Sequence, residues 1–246
     1  MYYFASDMHL GLGSREESLE REKTFVRWLL EVSHGAKAIF IVGDMFDFWH
    51  EYKRVIPKGF SRLLGTLSSL TDKGIEIHFF SGNHDMWAYD YLQTECGVII
   101  HHSPAIFDLY GKKVYITHGD DICARAGGFW IRFMNSGFRS RAVRWIFSKL
   151  LPPNQALRMG NNWSSSSRKS KAVSVEFYGE KDPMVAFSRK YLENHDMDYF
   201  VFGHNHCAEI YPLTEESSAV FLGEWIQNPT FAAMDPDGKI SLHKYR

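Results

Sequence analysis

Five short groups of oxygen- and imidazole-bearing residues are strung along this 246-residue chain, each at the edge of an apolar run: Asp7-Met8-His9, Gly43-Asp44-Met45-Phe46-Asp47, Gly82-Asn83-His84-Asp85, His118-Gly119-Asp120 and Gly203-His204-Asn205-His206. Taken singly, each has an ordinary reading. An Asp-x-His is common, a lone histidine on an apolar strand is usually a satisfied core residue, and Gly-Asn-His-Asp makes a plain turn. Taken together and in order, they form a site. Donors of carboxylate, amide and imidazole type, with no thiolate among them, suit two borderline-to-hard divalent ions such as manganese, iron or zinc, and do not suit a structural zinc knot. Two such ions about 3.5–4 Å apart can share a carboxylate, acidify water at neutral pH and neutralise both the attacking and the leaving oxygens of a phosphoryl transfer. Asp44 is the natural bridge between them.

The elements that must position these groups are legible around them. Ala38-Ile39-Phe40-Ile41-Val42 reads as a strand buried on both faces, which leaves no place for an acid except just past its end, where open α/β sheets put their ligands. Tyr2 to Ala5 is a short strand ending at Asp7 and His9, two residues apart and able to face the same way. Glu16 to Glu31 and Phe60 to Thr71 carry helical periodicity, and Lys73-Gly74 ends the second of them. Ile75 to Phe80 is a strand that delivers Asn83, His84 and Asp85. Strands alternating with helices predict a largely parallel sheet with right-handed crossovers in this half. Val98 to His101, Ala105 to Leu109 and Lys113 to Thr117 follow with short turns, so the second half reads as more antiparallel. Tyr199 to Phe202 runs into His204, Val220 to Gly223 is another strand, and Asp235-Pro236-Asp237-Gly238 is a turn between the last two. The expected fold is α/β: two packed mixed β-sheets flanked by helices, in one domain of 1–246 with a helical cap insertion at approximately 122–171.

That insertion has its own composition. Ile122 to Lys171 holds ten basic residues and no acidic one, which leaves the rest of the chain net acidic although the whole carries a formal charge of only -1. Between the charges lie Phe129, Trp130, Phe133, Phe138, Trp145, Ile146, Phe147, Leu150 and Leu151, more apolar bulk than a solvated basic face needs. One reading is a helical insertion packed for stability, its arginines merely solvated. The other is a cap that meets an anionic amphiphile or a membrane surface. Cys96, Cys123 and Cys207 are too few and too scattered for a disulfide framework and fit a reducing compartment. With a strand beginning at Tyr2 and no stretch long enough to span a bilayer, neither a cleaved leader nor a membrane span is expected.

The ordered motifs Asp7-x-His9, Gly43-Asp44-x-x-Asp47, Gly82-Asn83-His84-Asp85, His118 and Gly203-His204-x-His206 resemble those of the calcineurin-like metallophosphoesterases over nearly the whole chain. The resemblance implies Asp7, His9, Asp44 and His206 around one metal, and Asp44, Asn83, His118 and His204 around the other, with Mn2+ the expected ion and Fe or Zn the alternatives. It implies that His84 is no ligand but meets the leaving oxygen, and that the Asp47 carboxylate orients it, which would keep the imidazole protonated as a general acid. Within the family, the basic and aromatic insertion and the Asn161 to Lys171 stretch resemble a branch that cleaves the pyrophosphate of a nucleotide-linked diacyl sugar. The best-known members of that branch carry arginine where this chain has His84 and acidic residues near Ala124 and Arg125. The expected partner is therefore an amphiphilic nucleotide-lipid substrate at the cytoplasmic face of the inner membrane, bound peripherally, with no nucleic acid. Two alternatives stand beside it: a phosphoesterase acting on another phosphodiester or phosphomonoester, whether nucleotide, nucleic acid or phosphoprotein, and a non-catalytic scaffold. The scaffold would be expected to have lost ligands, and no ligand is missing.

Overall fold

Every residue of Ala38–Val42 (β2) is buried, as its unbroken apolar run requires, and the two faces of this strand serve two different cores. The computed structural model describes residues 1–127, 137, 140–156, 158–160 and 177–246. In one sheet β2 lies between Tyr2–Ala5 (β1) and Glu76–Phe80 (β3), parallel to both. Ile99–His101 (β4) pairs parallel beyond β3, while Thr230–Met234 (β10) and Ile240–Lys244 (β11) complete the other edge antiparallel. The second sheet has the order β5-β6-β7-β9-β8, formed by Ala105–Leu109, Lys112–Thr117, Tyr199–Phe202, Ser218–Leu222 and Ala208–Pro212 respectively.

Alternation along the strands divides the apolar residues among layers. Ile39, Ile41, Ile77 and Phe79 face outward against Phe25, Trp28 and Leu29 of Arg15–Ser33 (α1) and Leu63, Leu67 and Leu70 of Ser61–Asp72 (α2). Phe40, Val42 and Phe80 face inward, against Val114, Ile116, Val201 and Val220 of the second sheet. The outer face of that sheet, with Tyr115, Phe200, Phe202 and Phe221, is covered by Met184 and Val185. The start of α1 is fixed by a capping box: Ser14 accepts from Glu17 N while the Glu17 carboxylate accepts from Ser14 N.

The sandwich of two mixed sheets with helices outside is the expected fold, and strands β1, β2, β5 and β7 have the expected limits. The second half is the more antiparallel one, as expected, at β5–β6, β8–β9 and β10–β11, but it also holds parallel pairs. Strand β6 is parallel to β7 and β7 to β9, with only β5–β6 and β8–β9 antiparallel in that sheet. The short link after β4 does not make a hairpin but carries the chain from one sheet to the other, a distinction that turn residues alone do not encode. Tyr91–Cys96 (α3), Pro183–Leu192 and β8 were not anticipated. Of the cap expected at 122–171, Asp120–Ala126 (α4) and Arg141–Leu150 (α5) are among the described residues, and Pro183–Leu192 (α6) follows it. Residues 128–136, 138–139, 157 and 161–176, and with them the serine run and the Asn161 to Lys171 stretch, lie outside the described residues. No helix among the described residues is long and apolar enough to cross a membrane.

Two histidines in the inter-sheet core set an acid limit on this fold. His78 Nδ1 lies 3.0 Å from His101 Nε2, with the rings stacked on Phe40 and Phe80 respectively. Burial lowers the pKa of both. For His101, reinforced by His78 and His102, it comes down to about 4; for His78 burial outweighs the pull of Glu76 at 3.5 Å. The unfolded chain therefore binds protons near the ordinary histidine value of about 6.5 while the native chain resists them, so stability is lost as pH falls from there towards 4. Denaturant midpoints should decline across that window, and His101→Gln should flatten the decline. An unchanged slope in the variant would assign the acid lability elsewhere.

Candidate metal centre

The site is built on loops that continue strand pairing beyond the strands themselves. Asp7 N donates to Gly43 O (3.2 Å), His9 N to Asp44 O (3.0 Å) and Leu10 N to Met45 O (3.0 Å), so the two ligand-bearing stretches leave β1 and β2 still held to each other. Seven non-glycine residues among those described have positive φ, and five of them are Asp7 (59°), His9 (45°), Asp44 (50°), His204 (68°) and His206 (58°). Backbone of this kind costs of order 1–3 kcal/mol per residue and clusters where surroundings over-determine it for function. Beneath the ligands lie three glycines. A Cβ on Gly43 would fall on the His118 ring, one on Gly82 on the Asp44 carboxylate, and one on Gly203 on Ser6 Oγ and Asp7.

The side chains converge accordingly. Asp7 Oδ1 lies 3.2 Å from His206 Nε2 and 3.6 Å from His9 Nε2, and Asp7 Oδ2 accepts from Ser6 Oγ and His204 N (2.9 Å). Asp44 Oδ2 lies 3.7 Å from His9 Nε2 and 3.3 Å from His118 Nε2, while its Oδ1 accepts from His84 N (2.9 Å). Three donor groups result, Asp7/His9/His206, His9/Asp44/His84 and Asp44/His118/His204, each with its donor atoms within 4.8 Å of one another. Asp44 belongs to the second and third of these groups, and His9 joins the first to the second, which is the place a bridging carboxylate would need.

Charge and hydrogen bonding both call for a cation here. Burial disfavours charge on every one of these groups, yet Asp44 is held well below the usual carboxylate range by His118, His84 and His9, and Asp7 by His206, His9 and His118. Burial of His9 is outweighed by Asp47, Asp7 and Asp44, which push its pKa up to about 9, and His118 is raised through Asp44 and Asp7. Imidazolium protons thus balance the buried carboxylates, and a divalent ion would displace them. The orphaned donors agree: Asp7 Oδ1, Asn83 Oδ1 and His118 Nε2 are buried without a hydrogen bond. His118 Nδ1 lies 2.8 Å from Val42 O, which as an N–H donor leaves the Nε2 lone pair for a metal. The residues present fit two divalent ions, and no cysteine belongs to the three groups.

The structure thus brings Asp7, His9, Asp44, His118, His204 and His206 together in the site, with His84 and Asp47 beside them; Asn83, next to His84 in the chain, has its Oδ1 buried without a hydrogen bond, and the contacts of Asp47 differ from the expected ones. Its carboxylate is 3.4 Å from His9 Nδ1 and 4.0 Å from His84 Nδ1, and His84 Nδ1 instead pairs with the Asp47 backbone carbonyl at 2.8 Å. Burial lowers the His84 pKa against the pull of Asp44 and Asp47, and the nearer Asp47 partner of its Nδ1 is the backbone carbonyl rather than the carboxylate that the resemblance implied. His84 Nε2 lies 4.0 Å from Asp44 Oδ2. Asp85 is structural: it accepts from Gly82 N (2.8 Å) and Phe46 N (3.3 Å) and ties two ligand loops together. Asp120 sits in the first turn of α4 and belongs to none of the three groups. Ser6, which also donates to Val42 O (2.9 Å), passed unnoticed in the sequence; its only signal is its place before Asp7.

A sandwich of two mixed sheets, with two clusters of carboxylate and imidazole donors sharing one aspartate at the strand ends, defines a metal-dependent hydrolase. Residues 2–208 match the model of the calcineurin-like phosphoesterase family, and the chain belongs to that family, whose members bind two divalent metals. It is 33% identical to the UDP-2,3-diacylglucosamine hydrolase of Porphyromonas gingivalis over 95% of this chain and 93% of that one. It is 24% identical to the protein of the same name from Actinobacillus succinogenes, over 95% of each chain.

Two substitutions examine this geometry. Asp44→Ala removes the only carboxylate common to both sets, so elemental analysis should find neither ion, and two ions retained would contradict the bridge. Gly82→Ala places a methyl on the Asp44 carboxylate and should lower both metal content and turnover, whereas Gly65→Ala, on α2 with open space around it, should do neither.

Proposed function

We propose that the chain hydrolyses the pyrophosphate of UDP-2,3-diacylglucosamine to UMP and 2,3-diacylglucosamine 1-phosphate, a step of the lipid A pathway. The two ions, for which Mn2+ is the proposed identity, supply Lewis-acid polarisation of the phosphoryl group and acidification of water. Asp7, His9, Asp44 and His206 would hold one, and Asp44, Asn83, His118 and His204 the other. Val42 O fixes the His118 tautomer and the Asp47 carboxylate steadies His9 through Nδ1. His84, its Nδ1 committed to the Asp47 carbonyl, presents Nε2 to the leaving oxygen. Burial lowers its pKa in the free site, and the negative charge of an anionic substrate beside it would raise it again, as a general acid in the complex requires.

The observation that carries the substrate class is an apolar surface joined to the metal loops. On α5, Trp145 is 63% exposed, Ile146 47% and Leu150 74%, and Met159 beyond it is 53% exposed. This segment is tied to the loop that carries Asp47, since Tyr52 Oη donates to Leu151 O (2.9 Å) and Gly160 lies against the Phe48 ring. Large apolar side chains held in water next to a site for anions match a diphosphate with acyl chains. They also match peripheral binding at the cytoplasmic face of the inner membrane, with lysine and arginine of the segment meeting anionic lipid. The many relatives named for this lipid nucleotide support the reading.

Each long acyl chain buried is worth about 0.8 kcal/mol per methylene, so deacylated UDP-glucosamine should be a far poorer substrate, the loss falling in kcat/KM. Similar efficiency for the two, or cleavage of simple phosphodiesters alone, would leave only the family activity. The protein should also co-sediment with vesicles containing anionic lipid, and a Trp145→Ala/Leu150→Ala variant should do so less. His84→Ala should keep its metal while turnover falls by roughly 10²-fold or more. Loss of metal in that variant would make His84 a ligand.

A further inference from the structure

We infer that Arg21, on α1, is a positioning residue for the metal centre: its guanidinium holds the His9 loop in the strained conformation that aims the His9 imidazole. The inference rests on the reading of Asp7, His9 and His206 as a ligand set.

His9 is at φ 45° and is followed by a tight turn, in which Leu12 N donates to His9 O (3.1 Å). From α1, Arg21 Nη1 donates to that same His9 carbonyl at 3.0 Å and lies 3.4 Å from Leu12 O. Ser18, one helical turn before Arg21 and so on the same face of α1, accepts from Gly11 N (2.8 Å). One helix face thus grips Gly11 by its N–H and His9 and Leu12 by their carbonyls. Charge-assisted donation to a carbonyl is stronger than a neutral bond, so it can offset the strain of a left-handed histidine. The helix is itself a firm support. Phe25, Trp28 and Leu29 are fully buried in the core, and the Ser14–Glu17 capping box sets its first turn. On the side-chain end, the Asp47 carboxylate lies 3.4 Å from His9 Nδ1. His9 therefore has a carboxylate beside its ring and the Arg21 guanidinium bonded to its backbone, and a residue with no place in any metal motif completes the site.

Partners that orient a ligand typically set 10–100-fold in metal affinity. The test is titration of metal-free protein with Mn2+, read by calorimetry, beside the thermal midpoint of the same metal-free protein. Arg21→Met should raise the Kd of one of the two ions by about tenfold or more and leave the other within about twofold. The metal-free midpoint should stay within a few degrees, kcat at saturating Mn2+ should be near that of the parent, and Arg21→Lys should restore much of the affinity. Ser18→Ala, which removes only the bond to Gly11, should show a smaller rise in the same Kd. Unchanged affinities, or a large fall in the metal-free midpoint with affinities intact, would make Arg21 a purely structural residue and overturn the inference. So would failure of both Arg21→Met and Ser18→Ala to fold, since the loop contacts would then hold the domain rather than the ligand. If the parent itself fails to bind two ions, the ligand reading falls instead, and the outcomes are distinct.

Discussion

Asp44 is almost fully buried, with its carboxylate 3.3 Å from His118 and 3.7 Å from His9, and a buried carboxylate without a cation is among the costliest arrangements a protein interior can hold. The surrounding architecture answers that cost. β2 brings Asp44 to the end of a strand covered on both faces, and Gly43 and Gly82 clear the space it needs. The imidazole of His9 arrives from β1, beside β2 in the same sheet, and that of His118 from β6 in the other sheet. The carboxylates raise the pKa values of His9 and His118; a divalent ion held by the same atoms would displace their protons.

Strain is the second cost, and it is distributed by design of the fold. Five of the seven left-handed non-glycine residues among those described are Asp7, His9, Asp44, His204 and His206, where the side chain, not the backbone freedom, is indispensable. Glycines occupy the neighbouring positions, where a Cβ would collide with a ligand. The backbone is kept in place by bonds between one ligand loop and the next, Asp7 to Gly43 and His9 to Asp44, and by Trp225 N donating to Asp7 O (3.1 Å). The ligands are thus coupled through their main chains as well as through any ion they share, so damage to one loop is expected to spread to the others.

How much of this was legible without coordinates depends on the kind of signal. The ligand groups stood out because unlike residues recur at the ends of apolar runs, and the sandwich followed from period-2 strands alternating with helical periodicity in the first half. The helix–strand order there also fixed parallel pairing. Parallel pairing of β6 with β7 was not legible, because the crossover between them runs through the insertion, whose composition speaks of basic and aromatic content and not of topology. The way Asp47 meets His84 was not legible for a different reason. The position of Asp47 five residues past the end of β2 is encoded, but whether its carboxylate or its carbonyl reaches His84 depends on a loop conformation that residue types do not specify. Arg21 left no motif at all, since its partners are main-chain carbonyls of residues nine and twelve positions away.

The claim on which the rest depends is that one carboxylate, Asp44, joins two ions into one centre. Electron paramagnetic resonance of the Mn2+-loaded protein measures this most directly, because two manganese ions sharing a carboxylate ligand are magnetically coupled while separate ions are not. The structure predicts the closely spaced multiline spectrum of a coupled pair at two equivalents of metal. The six-line spectrum of isolated Mn2+ persisting at full occupancy would contradict it, and would mean that the two donor sets bind their ions independently.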